Sequence, residues 1–233
     1  MNIVKIDSIS AIEAFSVNSD NLRTTDPCYD METWCAGTIE RVKHGKWDAH
    51  VGYHKDSFDM EGINKRRADL VADVDRHEGT PLESYYASEL RRHDTSVGGY
   101  IGRVAYLHIV HSEDNAHFDH ESELDSTWVD SGIDVGVDSG QAGFFDEAIF
   151  KAVCDAREAK DSFYETVCNL TLGDKSFGVT DFGAVSSTGW GDGSYTCMVR
   201  RNDHGQAIEA LIIYLAEYDE EEDEEDSSEA VEG

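Results

Sequence analysis

The chain has 233 residues, with 49 Asp and Glu against 19 Lys and Arg and a formal net charge of −30. That excess excludes a groove gripping nucleic-acid phosphates, which needs clustered cations, and docking on an anionic lipid surface. A hydrophobic content of 39% with 10% aromatic excludes a disordered acidic chain and leaves room for one large domain or two small ones.

In chain order, the first seven residues contain no apolar run of the length a secretion signal needs. No later segment approaches the ~18 apolar residues of a membrane span, so a soluble, cytoplasmic protein is expected. Residues 14–25 alternate polar and apolar and stop at Asp26-Pro27, a turn signal. Residues 38–43 and 46–53, joined by His44-Gly45, predict a β-hairpin with Trp47, Ala49, Val51 and Tyr53 on one face. Residues 56–98 are dense in charge and lack alternation. Ile63, Leu70, Val71 and Val74 recur at helical spacing, as do Leu82, Tyr85, Tyr86 and Leu90. This predicts two amphipathic helices broken at Gly79-Thr-Pro81, inserted into a β-rich domain.

Residues 99–111 form the strongest predicted strand. Its apolar positions fall on both faces near the end, as in the centre of a sheet. Residues 112–126 read as a polar, acidic loop and 133–137 as a strand. Residues 146–160 read as a helix with Ile149, Phe150, Val153 and Ala156 on one face, and 163–172 as a second helix. Three strands close the body, at 178–186, 194–201 and 207–215, with Asn202-Asp-His-Gly205 as a hairpin turn. From Glu217 to Gly233 there are eleven acidic residues and no basic one. This tail repels itself and has nothing apolar to bury, so it is expected to be disordered. The division expected is a single β-rich α+β domain over 1–216, an antiparallel sheet or sandwich with a few helices and a helical insertion at 56–98, followed by the tail at 217–233.

The five cysteines show no CxxC spacing, so neither a disulfide framework nor a zinc knuckle is indicated. Gly189-Trp-Gly-Asp-Gly-Ser-Tyr195 departs from the dinucleotide fingerprint and lies between strands, without a helix N-terminus to hold phosphate. It is either a tight glycine turn whose Asp192 caps its own backbone or a binding loop that brings backbone N–H groups and the Asp192 carboxylate close to a ligand. Asp146 is placed as the N-cap of the following helix, whereas Asp138, at a strand end, is freer to act as a ligand or acid–base group. Asp130, Asp134 and Asp138 recur every fourth residue, a solvated face or a divalent-cation site without D-x-D-x-D-G. His108, His111, His117 and His120 cluster near Glu121. Of these, His111, His117 and His120 are the metal candidates, against the plainer reading of structural or solvated imidazoles. No cofactor is required by these patterns, though a divalent cation is compatible with them. Asp181-Phe-Gly183 lacks every other kinase element.

Two segments together carry a resemblance. Val137-Asp-Ser-Gly-Gln-Ala-Gly-Phe-Phe-Asp146 resembles the pattern V-D-[AS]-G-x-x-x-F-x-D. Ser186-Ser-Thr-Gly-Trp-Gly-Asp-Gly-Ser-Tyr195, followed by Asn202-Asp-His-Gly205 and a final strand, resembles S-G-W-G-D-G-x-Y … D-x-x-G. Both are similar to a domain-of-unknown-function family of bacteria and their phages, and Asp26-Pro-Cys-Tyr29 with Trp34 and Gly37 adds to the likeness. The resemblance covers roughly 20–55 and 99–216. It implies a β-rich α+β domain and no activity. The matching positions Asp26, Asp138, Asp146, Trp190, Asp192 and Tyr195 are where a ligand or partner site is expected.

The leading expectation is a non-enzymatic binding protein of phage or bacterial accessory type that docks on a basic protein surface. In its pointed form it mimics DNA on a host or defence protein. A hydrolase using Asp138 and Asp192, with or without a divalent metal, is the rival. Adaptation of an acidic, lysine-poor body to high salt is the third reading.

Overall fold

The computed structural model describes residues 2–55, 60–98, 102–114 and 124–217. Alternation along the strands sorts side chains into two antiparallel sheets packed face to face. One sheet has the order β10 (Phe177–Thr180), β11 (Gly183–Ser187), β9 (Gln141–Asp146), β4 (Asn21–Thr25), β5 (Gly37–Glu40). The larger runs β2 (Ser8–Ile9), β6 (Gly45–His54), β7 (Arg103–His111), β13 (Ala207–Ile213), β12 (Gly193–Arg201), β8 (Trp128–Val137), and β3 (Glu13–Val17) also pairs with β6. A short ladder joins β1 (Asn2–Ile3) to β14 (Ala216–Glu217). The fold is α+β and β-rich, as expected.

Trp47, Ala49, Val51 and Tyr53 are all buried on the inner face, as the alternation of β6 predicts. Strand β7 lies between β6 and β13 and is buried from Val104 onward, which fits its apolar residues on both faces. Behind the five-stranded sheet lies a third layer of α3 (Glu147–Cys154) and α4 (Arg157–Thr171). Phe144 of β9 enters the core between the sheets. Phe145, pointing the opposite way, packs with Phe150, Phe163 and Val167 of the helices. The ring centroids of Phe145 and Phe150 lie 5.2 Å apart.

Several expectations are corrected. The hairpin over 38–53 does not form: β5 pairs with β4 in one sheet, while β6 pairs with β3 and β7 in the other. Arg41, at φ 58°, turns the chain between sheets, and its guanidinium donates to the His204 carbonyl at 2.8 Å. Alternation states which residues share a face but not which strand lies alongside. The stretch 138–146, read as a link from strand to helix, contains β9. Residues 178–186 are a hairpin of β10 and β11, and 146–160 breaks at Asp155-Ala156 between two helices.

The predicted insertion is present as α1 (Met60–Arg76) and α2 (Pro81–Gly98), broken at 77–80. The two helices pack chiefly on each other, with Leu70 buried and His77 stacked on Tyr86 at 5.1 Å. Leu82 and Tyr85, expected on the inner face of α2, are exposed. No described helix is long and apolar enough to cross a membrane. The acidic tail from Tyr218 lies outside the described residues.

Candidate functional site

After β4 the chain leaves the sheet at Asp26, whose side chain is fully buried. One carboxylate oxygen accepts the Cys28 N–H at 2.8 Å and the Ser139 hydroxyl at 2.7 Å. The other accepts the Asp138 and Ser139 N–H groups at 2.9 and 2.8 Å. This buried anion clamps the 26–36 loop to the bend that follows β8. The same loop is seated a second time where the Gly136 N–H donates to the Cys35 carbonyl at 2.8 Å. A Cβ at position 136 would come within 2.6 Å of the Cys35 side chain, so only glycine permits that approach.

The glycine-rich segment joins β11 to β12 beside this clamp. Thr188 donates its N–H to the Gly140 carbonyl at 3.0 Å and receives the Gly191 N–H at 2.7 Å. The hydroxyls of Thr188 and Tyr195 both donate to the Gly191 carbonyl, at 2.6 and 2.8 Å. Gly191 sits at φ 89°, in the left-handed region that favours glycine. The two motif segments therefore meet in space.

Between the 26–36 loop and the glycine-rich loop is an open cleft of about 460 Å³. Tyr29, Trp34, Cys35, Asp138, Asp192 and Ser194 line it, and among the described residues no Lys, Arg or His does. Trp34 is 89% exposed, which a single-domain core cannot explain. Burial, and then hydrogen bonding to the Asp138 carboxylate and to Cys35, push the Tyr29 phenol well above its ordinary range. Tyr29 is thus a neutral donor tied to one acid of the cleft. A larger depression of about 580 Å³ carries Arg41 and His204 beside Asp20 and Glu40, so both signs of charge meet there.

Of the six residues expected at a site, the structure brings Asp138 and Asp192 to this cleft. Asp26 lies behind it as the clamp. Asp146 stands apart: it caps α3 through Ala148 and Ile149 N–H groups at 3.1 and 3.2 Å and accepts from Asn18 and Ser19 at 2.7 and 2.8 Å. Trp190 is exposed on the glycine-rich loop, with the Arg103 guanidinium 4.4 Å from its ring centroid, and does not line the cleft. Tyr195 is buried against Tyr214 at 5.1 Å.

Among the metal candidates, His111 is buried, its Nε2 2.9 Å from the His44 carbonyl and its Nδ1 3.1 Å from Asp114. His117 and His120 lie outside the described residues. Among the described residues no three His, Cys, Asp or Glu side chains are grouped as metal ligands. Asp130 and Asp134 face solvent on β8, bonded to Gly132 N–H and Ser194 hydroxyl.

Sequence reasoning missed an ionisable chain on the outer face of the larger sheet. His108 Nε2 and Glu209 Oε1 are 2.6 Å apart, both side chains fully buried, and Arg200 pairs with the other Glu209 oxygen. His50 Nδ1 is 3.4 Å from His108 Nδ1. Burial, and then Arg200, push His108 down to about 3. Burial raises Glu209 to about 7 against the pull of Arg200. The available signal was a glutamate and a histidine, each inside an otherwise apolar strand.

No curated protein and no solved structure matches the chain. A family model described as "Protein of unknown function (DUF4241)" matches residues 15–212, a span from β3 into β13 that takes in the clamp, the cleft and both motif segments. The chain therefore belongs to the DUF4241 family.

Proposed function

We propose that the chain is a non-enzymatic binding protein of phage or bacterial accessory type, and that its cleft receives a cationic side chain from a basic protein surface. The observation carrying this reading is the lining: two carboxylates, Asp138 and Asp192, beside the exposed indole of Trp34, with no cation among the described lining residues. A guanidinium or ammonium group pairs with carboxylates through charge-assisted hydrogen bonds and lies on aromatic faces. The acidic body supplies long-range attraction for such a partner. The basic surfaces that fit are those of the host or defence proteins that otherwise hold nucleic acid.

Titration of the full chain with an arginine-rich peptide, followed by Trp fluorescence and calorimetry, tests the cleft. Asp138→Asn with Asp192→Asn changes the net charge by only two, so general attraction is nearly unchanged. About tenfold weaker binding, which is 1.4 kcal/mol, is expected for this variant and for Trp34→Ala. Affinities within twofold of the parent would rule the cleft out. For a captured basic host protein, release by added DNA is expected, and binding that DNA leaves intact argues against mimicry.

The shared cleft also favours a second reading, hydrolysis by Asp138 and Asp192 as acid and base with or without a divalent cation. Turnover of ester, phosphoester or glycoside substrates that Asp138→Asn abolishes would support it. No turnover across such a panel, with and without divalent cations, would remove it.

A further inference from the structure

The basic residues of this acidic chain are unevenly placed. Six of the 19 fall within residues 60–98, the span of α1 and α2. Three of them, Lys65, Arg66 and Arg67, are consecutive and exposed on α1. Neither Lys65 nor Arg66 pairs with a carboxylate among the described residues, although acids outnumber bases in the chain by 49 to 19. On the sandwich several cations are engaged: Lys43 pairs with Glu113 and Asp114, Lys151 with Asp155, Lys175 with Glu13 and Arg200 with Glu209, whereas Lys5, Lys46, Lys55 and Arg157 stand singly along the chain and only α1 sets three cations side by side.

The chain carries one concentrated anion that fits this patch. Residues 219–226 are eight consecutive acids, beginning two residues past β14. The place where that segment leaves the sheet is close to the root of the helical pair. β14 pairs with β1 through Ile3 and Ala216. Two residues later the Lys5 carbonyl meets His54 Nδ1 at 2.8 Å. His54 is paired with Arg103 where the chain departs to α1 and returns from α2. Reach is ample. The 16 residues after Glu217 span up to ~50 Å when extended, against ~26 Å for the length of α1.

We propose that the acidic C-terminal segment docks in cis on α1 around Lys65 and Arg66, where the cations of Lys65–Arg67 ring one turn of the helix. Tethering places it there at an effective concentration on the order of millimolar, so modest pairwise attractions suffice. Docking relieves the like-charge repulsion within the eight acids and gives Lys65 and Arg66 carboxylate partners. The segment would then cover the basic helical pair and leave the cleft on the sandwich open to a cationic partner. This proposal does not depend on what the cleft binds.

The test is zero-length carbodiimide coupling of the full chain at low salt, with the amide-linked peptides mapped by mass spectrometry. Lys5 and Lys55 are exposed and nearer the exit of the segment, so an undocked tail would couple to them first. The expected result is an intrachain link from Lys65 to an acid of 219–226 at several times the yield of links to Lys5 or Lys55. Arg66→Glu leaves the Lys65 amine in place and should lower that link several-fold while sparing the other two. About 0.5 M salt, where charges are screened within a few Å, should do the same. Links that follow distance from the exit, a Lys65 link indifferent to Arg66→Glu, or a Lys65 link found only between two chains would each overturn the proposal.

Discussion

Asp26→Asn separates a clamp from a passive buried acid. The carboxylate satisfies four donors at 2.7–2.9 Å, three of them backbone N–H groups, and no cation among the described residues pairs with it. An asparagine of the same shape keeps one oxygen. Turned towards Asp138 and Ser139, that oxygen retains two N–H bonds, and its NH2 can donate to a rotated Ser139 hydroxyl. The Cys28 N–H then faces a donor and is left unpaired, at about 1–3 kcal/mol, and the remaining bonds lose their charge assistance. The expected loss is about 2–4 kcal/mol. Asp26→Ala strands all four donors and opens a void, so about 5 kcal/mol or more is expected, a large part of the ~5–15 kcal/mol holding such a domain. Urea unfolding followed by Trp fluorescence reads both. With m near ~3 kcal/mol/M, Asn should lower the midpoint by roughly 1 M, and Ala by clearly more. An Asn variant within ~0.5 kcal/mol of the parent, or Asn and Ala equally destabilised, would refute the clamp.

Asp146 is buried, which alone would raise its pKa, yet the N–H groups of Asn18, Ser19 and Ile149 outweigh burial and hold it below the ordinary range. Its stabilisation is present above the unfolded value near 4 and is lost as pH falls through the lower folded value. Asp146→Asn should cost about 1–3 kcal/mol at pH 7, with the gap to the parent narrowing in urea titrations below pH 4. For His108, pushed down to about 3 by burial and Arg200, the stabilisation is complete above the unfolded value near 6.5 and is lost as pH falls towards 3. Its ring nitrogens should show no NMR titration between pH 8 and 5, and a midpoint above 5 would contradict the assignment. Arg200→Met, which leaves Glu209 buried without its cation, should cost about 3–5 kcal/mol.

What could be read from the sequence divides along physical lines. Strand β7 and the turn at Asn202-Asp-His-Gly205 were legible because each is specified locally. The first is a long apolar run, and in the second Gly205 adopts φ 72° and the Asn202 carbonyl accepts its N–H at 2.8 Å. Strand β9 was hidden for the opposite reason. All six of its residues are buried, one face against the other sheet and one against α3 and α4, so it shows no alternation. The false hairpin at 38–53 arose because partner choice is non-local: β5 meets β4, with Ile39 in register opposite Leu22, seventeen residues upstream. The cleft was half legible. Asp138 stood out as an acid at a strand end and Asp192 as the acid of the glycine-rich loop. Tyr29, Trp34 and Cys35 drew no chemical notice, since their role depends on Asp26 and Gly136 folding a loop onto a distant strand.

The charge behaves in the same way. As one number, −30 only removes function classes. Divided along the chain it becomes a sandwich with a large acidic excess, a nearly neutral helical pair holding six of the 19 bases, and a tail of eleven acids. A uniform need for solubility would scatter the bases among the acids, since mixed surface charge serves hydration as well. Three consecutive exposed cations on one helix, and eight consecutive acids in the sequence that follows β14, are instead segments of opposite charge on one molecule. If the pair is engaged, the chain presents a single sign of charge to its surroundings and a cleft of the same sign. That arrangement steers cations inwards and turns polyanions away. If it is not, the basic helical pair is a second surface, with the opposite choice of partner.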